Sequence, residues 1–109
     1  MSNIYFTDKC TIKNISTDDN GVRTVDTTTE NIDCRYYSNS VIKPGPNGKM
    51  VRYEGIVIVD GKTSVSIDDT AQVTKQLGNT VTYEEMLIKG IKTAALFSFS
   101  RKELYLGQF

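Results

Sequence analysis

The run Ile56-Val57-Ile58-Val59 constrains this chain more than any other stretch. Four consecutive β-branched residues are stiff at χ1 and favour extended backbone. Successive side chains of a strand point to opposite faces, so this run is apolar on both. A strand buried on both sides belongs in a closed barrel or a packed sheet. Asp60-Gly61 follows at once and supplies a turn. Residues 50–55 alternate and extend the same predicted strand outward.

Most of the remaining chain also reads as β. Residues 8–15 alternate, with Cys10, Ile12 and Asn14 on one face and Thr11, Lys13 and Ile15 on the other. Asn20-Gly21 can take positive φ cheaply and predicts a hairpin into a second strand over 22–29. A third strand over 31–38 sets Ile32, Cys34 and Tyr36 against Asp33, Arg35 and Tyr37. A short strand is predicted over 63–67, then an acidic turn at Asp68-Asp69 and another turn at Gly78-Asn79. Residues 82–89 are ambiguous. Thr82 and Glu85 match a capping box before Met86, Leu87 and Ile88, which would start a short helix. The alternation of Val81, Tyr83, Glu85 and Leu87, together with Gly90, favours a strand. Leu96 and Ser98 alternate with Phe97 and Phe99, Arg101-Lys102 is expected to turn, and residues 103–106 form a last strand. Short strands at even spacing imply an all-β chain: one domain over 1–109, a sandwich or, with its edges closed, a small single-domain β-barrel.

The composition excludes several functions. Thirteen Lys and Arg balance thirteen Asp and Glu, which argues against generic nucleic-acid binding and gives weak protection against self-association. The chain has no His, and Cys10 and Cys34 form no CxxC pair, so both are expected as buried free thiols. A disulfide stays geometrically open if the first and third strands are neighbours. No GxSxG, Walker A or GxGxxG run occurs, so no catalytic set, metal site or cofactor is expected. Asp68-Asp69 and Glu84-Glu85 are adjacent carboxylates that a strand would send to opposite faces. Asp68-Asp69 is expected to be solvated turn chemistry. Tyr36, Tyr37 and Tyr53, with Arg35 and Arg52 beside them, could stack single-stranded nucleotides, or could simply be half-buried strand residues. The N-terminus lacks a secretory pattern, and no apolar stretch approaches a membrane span. Without that pattern the sequon Asn14-Ile15-Ser16 is expected to be chance.

A long central loop interrupts the pattern: Ser38, Asn39, Ser40, Val41, Ile42, Lys43, Pro44, Gly45, Pro46, Asn47, Gly48 and Lys49. It holds both prolines and two lysines and no acidic residue. Structureless connections of this length in compact domains are functional or disordered. Pro44 and Pro46 favour extended backbone before them, and Gly45 and Gly48 let the chain turn. The short, β-capable "SNSVI" before the prolines could add to a strand of a partner and would have few partners and be mobile in a lone copy; a plain surface loop is the alternative.

The order of parts resembles the small head-closure, or stopper, proteins of long-tailed bacteriophages. The resemblance rests on an early strand from Asp8, a "DDNG" hairpin, a "CRYYS" strand, the long loop, a strong "YEGIVIV" strand, an "IDD" turn and a final "ELYLG". It covers most of the chain and lies in length and order, not in one diagnostic motif. It implies a small β-barrel whose copies form a homo-oligomeric ring in the virion neck after assembly in the host cytoplasm. That ring would sit between a portal or adaptor ring above and a tail-end protein below. It would retain packaged double-stranded DNA, open for ejection and dock the tail. The loop at 38–49 would gate the channel, and Lys43 and Lys49 are the candidates for facing DNA. The Pro- and Gly-rich centre departs from a continuous strand. Another neck ring, such as a tail terminator, and a single-stranded nucleic-acid-binding barrel are the alternatives.

Overall fold

The computed structural model describes residues 6–38, 41–44, 48–96 and 99–108. Among them the chain forms strands β1 (Asp8–Thr17), β2 (Arg23–Tyr37), β3 (Val41–Pro44), β4 (Met50–Tyr53), β5 (Gly55–Asp60), β6 (Thr70–Gln76), β7 (Asn79–Thr80), β8 (Met86–Leu96) and β9 (Phe99–Gly107). Seven of them make one antiparallel sheet in the order β1-β2-β5-β9-β8-β6-β7. Because β6 also pairs with β1, through Lys9–Lys75 to Lys13–Thr70, six strands close into a ring. β3 and β4 form a separate two-stranded sheet.

Alternation fills the ring. Cys10, Ile12, Cys34, Tyr36, Val57, Val59, Ala71, Val73, Ile88, Leu104 and Leu106 form its buried cluster. Ile58, on the opposite face of β5, is only 4% exposed, as a strand covered on both sides requires. Its cross-strand neighbours are Arg35 and Glu103, whose long stems suit such cover.

Two buried carboxylates fasten the strand ends. Asp8 accepts from Tyr36 N at 2.8 Å and from Leu77 N at 3.0 Å. It thereby ties β1 to β2 and to the β6–β7 turn, where Leu77 (φ 51°) and Gly78 (φ 82°) are both left-handed. Such a two-residue turn matches the strand twist of a hairpin. Asp69 is 3% exposed and accepts from Ile15 N (2.8 Å), Asn14 Nδ2 (2.9 Å) and Ser66 N (2.8 Å). The expected solvated pair is therefore split: Asp68 is exposed at φ 79°, and Asp69 is an interior acceptor.

Several sequence expectations need correction. The predicted second and third strands are one strand, β2. It runs on because Asn31 takes φ 56° and a register shift between Cys10–Ile32 and Ile12–Thr29 absorbs an extra residue. The single strand predicted over 50–60 is two, broken at Glu54, whose N–H donates to the Leu106 carbonyl at 2.8 Å. Residues 63–67 are not a strand, because Asp69 claims Ser66 N and itself donates to the Ser66 carbonyl at 3.1 Å. Arg101 and Lys102 do not turn. They lie in β9 opposite Asp60 and Val59, and Lys102 Nζ donates to the Thr63 carbonyl at 2.8 Å. Phe97 and Ser98 lie outside the described residues.

No helix occurs among the described residues, so the helical alternative at 82–89 is not adopted. Residues 81–85 are irregular and β8 begins at Met86. The groups a helix start would use are engaged elsewhere. Gln72 Nε2 donates to the Tyr83 carbonyl (2.9 Å), and Glu85 pairs with Lys13 Nζ (2.8 Å).

Candidate functional site

The chain leaves the ring after Tyr37 and returns at Gly55, and the excursion contains the β3–β4 arm. Four pairs define the arm: Val41–Tyr53, Ile42–Arg52, Lys43–Val51 and Pro44–Met50. Pro44 lacks an N–H, which suits the last position of a ladder. Gly48 (φ 81°) helps the chain reverse before β4. The loop expected to lack internal partners is thus partly a hairpin within one copy. Its mate, residues 50–53, was assigned by sequence to the strong central strand. Asn39, Ser40, Gly45, Pro46 and Asn47 lie outside the described residues.

The arm is fixed at its base and bare on its outer face. Tyr53 is 2% exposed and its ring lies 5.2 Å from that of Tyr105 on β9. Gly90 on β8 makes room for it: a Cβ there would stand 3.2 Å from the Tyr53 hydroxyl oxygen. Cross-strand partners share a face, so Ile42, Pro44, Met50 and Arg52 lie together opposite Tyr53 and Val51. Ile42 and Met50 are each 64% exposed. Ser38, Gly48 and Lys49 are also exposed, and Lys43 sits in β3 with its backbone opposite Val51.

A second projection was not foreseen as such. Among the described residues β2 pairs with β5 only from Cys34 onward, so the strand partner of its first half is β1. Residues 23–31 are exposed at every position, while their β1 partners run from buried Ile12 through half-buried Lys13, Asn14 and Ile15 to exposed Ser16 and Thr17, so the β2 half of this two-stranded ribbon is the wet one. The sequence signal was present: Arg23-Thr24-Val25-Asp26-Thr27-Thr28-Thr29-Glu30 has no apolar face. Asp18 closes the ribbon tip, its carboxylate accepting from Asn20 N and Val22 N, both at 2.9 Å. Arg23 donates to the Asp68 carbonyl at 2.6 Å and braces the ribbon against the 61–69 segment. Between ribbon and segment lies an open cleft of about 350 Å³, lined by Ile12, Asn14, Thr27, Thr29, Thr63 and Ser64 among others. It holds no ionisable side chain.

Charge is divided between the projections. Residues 38–53 carry Lys43, Lys49 and Arg52 and no acid. Residues 14–31 carry Asp18, Asp19, Asp26 and Glu30 against Arg23 alone. The formal zero of the whole chain conceals this separation.

The other sequence candidates resolve plainly. Tyr36 is 7% exposed inside the ring against Tyr83, and Tyr53 is buried under the arm, so neither offers a face for base stacking. Tyr37 lies under the Arg35 guanidinium, 5.4 Å from ring centroid to Cζ. Cys10 and Cys34 are free and fully buried. Contact with the Cys10 thiol, then burial, then the charges of Cys10, Asp8 and Asp33 push the Cys34 thiol far above its ordinary pKa. Such a thiol is a poor nucleophile. Among the described residues no three acidic or thiol groups gather in a metal-holding cluster, and no helix is long and apolar enough to cross a membrane. No family model, characterised protein or solved structure matches the chain.

Proposed function

We propose that this protein is a non-enzymatic connector of the virion neck in a long-tailed bacteriophage, of the head-closure type. One observation carries the reading: a closed ring of six strands bears a two-stranded arm with Ile42 and Met50 bare on its outer face. The body is then a small β-barrel, and the arm is the part that works. Apolar side chains held out on an arm do little for a lone copy and suit contact with other copies or neighbouring rings.

In the assembled neck, copies stand as a ring between the portal or adaptor above and the tail-end protein below. Extended chain covers about 3.3 Å per residue, so the four residues of β3 reach about 13 Å toward the axis. Arms meeting there close the passage on packaged double-stranded DNA. Lys43 and Lys49, one pair per copy, form a belt of positive charge for the phosphates. The single-stranded nucleic-acid reading loses two of its stacking surfaces, since Tyr36 and Tyr53 are buried.

Electron microscopy of particles tests the proposal. Particles lacking the protein are expected to show emptied or leaking heads beside free tails of normal length. Particles built with a chain trimmed of residues 41–48 are expected to lose DNA as well. The trimmed chain itself should keep its β circular dichroism, because the arm lies outside the ring's core. Full heads with overlong tails would make the protein a terminator instead, and full, tailed particles without it would end the neck proposal.

A further inference from the structure

We propose that the arm of one copy docks on the β1–β2 ribbon of the next, head to tail. The inference rests on the ring proposal and names the surface that the arm meets. Four observations bring the two together. The arm segment carries three cations and no acid, and the ribbon segment carries four acids against Arg23 and Lys13, of which Lys13 pairs with Glu85 outside the ribbon. Each holds two large apolar side chains in solvent: Ile42 and Met50 at 64% each on the arm, Val22 at 57% and Val25 at 50% on the ribbon. Each offers a strand edge. Among the described residues no strand lies beside β3 except β4, and none lies beside residues 23–33 of β2 except β1. The ribbon holds the first half of β2 and the arm follows its last residue, so one copy carries the two halves of the contact at opposite ends of that strand.

A contact between two different patches of the same chain is heterologous, and repetition makes a ring where its rotation closes and an open filament where it does not. Main-chain pairing of β3 with the free half of β2 would supply affinity, and the opposite charges would set partner and orientation. The arm's cations then lie between two anions, the neighbour's ribbon and the packaged DNA.

A charge exchange tests this on the full chain. The arm set is Lys43→Glu, Lys49→Glu and Arg52→Glu, and the ribbon set is Asp19→Lys, Asp26→Lys and Glu30→Lys. Asp18 is left alone because it closes the turn. Sedimentation in about 20 mM salt, where charge is little screened, reads the association. The wild-type chain is expected to form species larger than its 12.2 kDa monomer as concentration rises, and less so in high salt. Either set alone should weaken association about tenfold or more, since arm and ribbon then repel. An equimolar mixture of the two sets should restore it, each arm meeting an opposite ribbon. Circular dichroism reports folding, and the single changes Lys49→Glu and Glu30→Lys repeat the test if a triple variant fails to fold. A wild-type chain that stays monomeric at millimolar concentration overturns the inference. So does association indifferent to both sets, or a mixture that does not recover. Recovery in the mixture, alongside full particles from a deletion mutant, would keep the interface and end only the neck proposal.

Discussion

Single side chains show where this ring is vulnerable. Asp69 receives three hydrogen bonds from three points in the chain while almost fully buried. Asp69→Asn turns part of that acceptor into a donor facing N–H groups. Urea unfolding is expected to show a loss of about 1–3 kcal/mol with little change in m-value. Cys34 gives a pH signature. Cys34 has its pKa raised in the folded chain, so the fold favours the protonated form. The resulting stability is complete below the unfolded value near pH 9 and is lost as pH rises above it. Unfolding free energy should therefore fall above that point by about 1.4 kcal/mol per pH unit for one thiol. Cys34→Ala is expected to flatten the slope while lowering stability overall, and titration by denaturant at a series of alkaline pH values measures both.

Elements differ in how much of them was written in local pattern. Parts of β1, β2, β5 and β9 were legible because one or both of their faces are apolar: Cys10 and Ile12, Cys34 and Tyr36, Val57 to Val59, Leu104 and Leu106; β6, over Thr70–Gln76, was assigned no strand although it closes the ring. The arm was legible as an excursion but not as a hairpin. Its second strand, Met50 to Tyr53, continues the alternation of β5, and only the bend at Glu54 divides them. That bend depends on a hydrogen bond to Leu106, over 50 residues away, and on a tyrosine contact with β9, which no local window contains. The ribbon was hidden for a similar reason: strand propensity was visible in its threonines, but how far it outran the body was not. Tyr53 is the element-scale test. Tyr53→Ala removes the ring that seats the arm on Tyr105 and leaves the buried ring cluster intact. Trypsin cleavage after Lys49 and Arg52 is expected to quicken about tenfold or more, and the thermal midpoint to fall as well, since truncating an aromatic this buried costs about 3 kcal/mol or more; mass spectrometry of the early fragments and a thermal melt check it.

The molecule as a whole is a closed body with two unlike projections. Sequence alone supplied the all-strand class. The closing pair of β1 with β6 joins residues some 60 apart and follows from no local signal. The charge division was in plain sight but meant little until the fold put its two halves on separate projections. One consequence concerns mechanical load. Glu54 alone separates β4 from β5, and β5 lies between β2 and β9 over most of its length. The arm also joins β2 at Tyr37, the cross-strand partner of Ile56, so a tug on the hairpin pulls β2 and β5 together. It loads in shear the two ladders that hold this pair, β1–β2 and β5–β9, whose bonds must yield together instead of peeling open one by one.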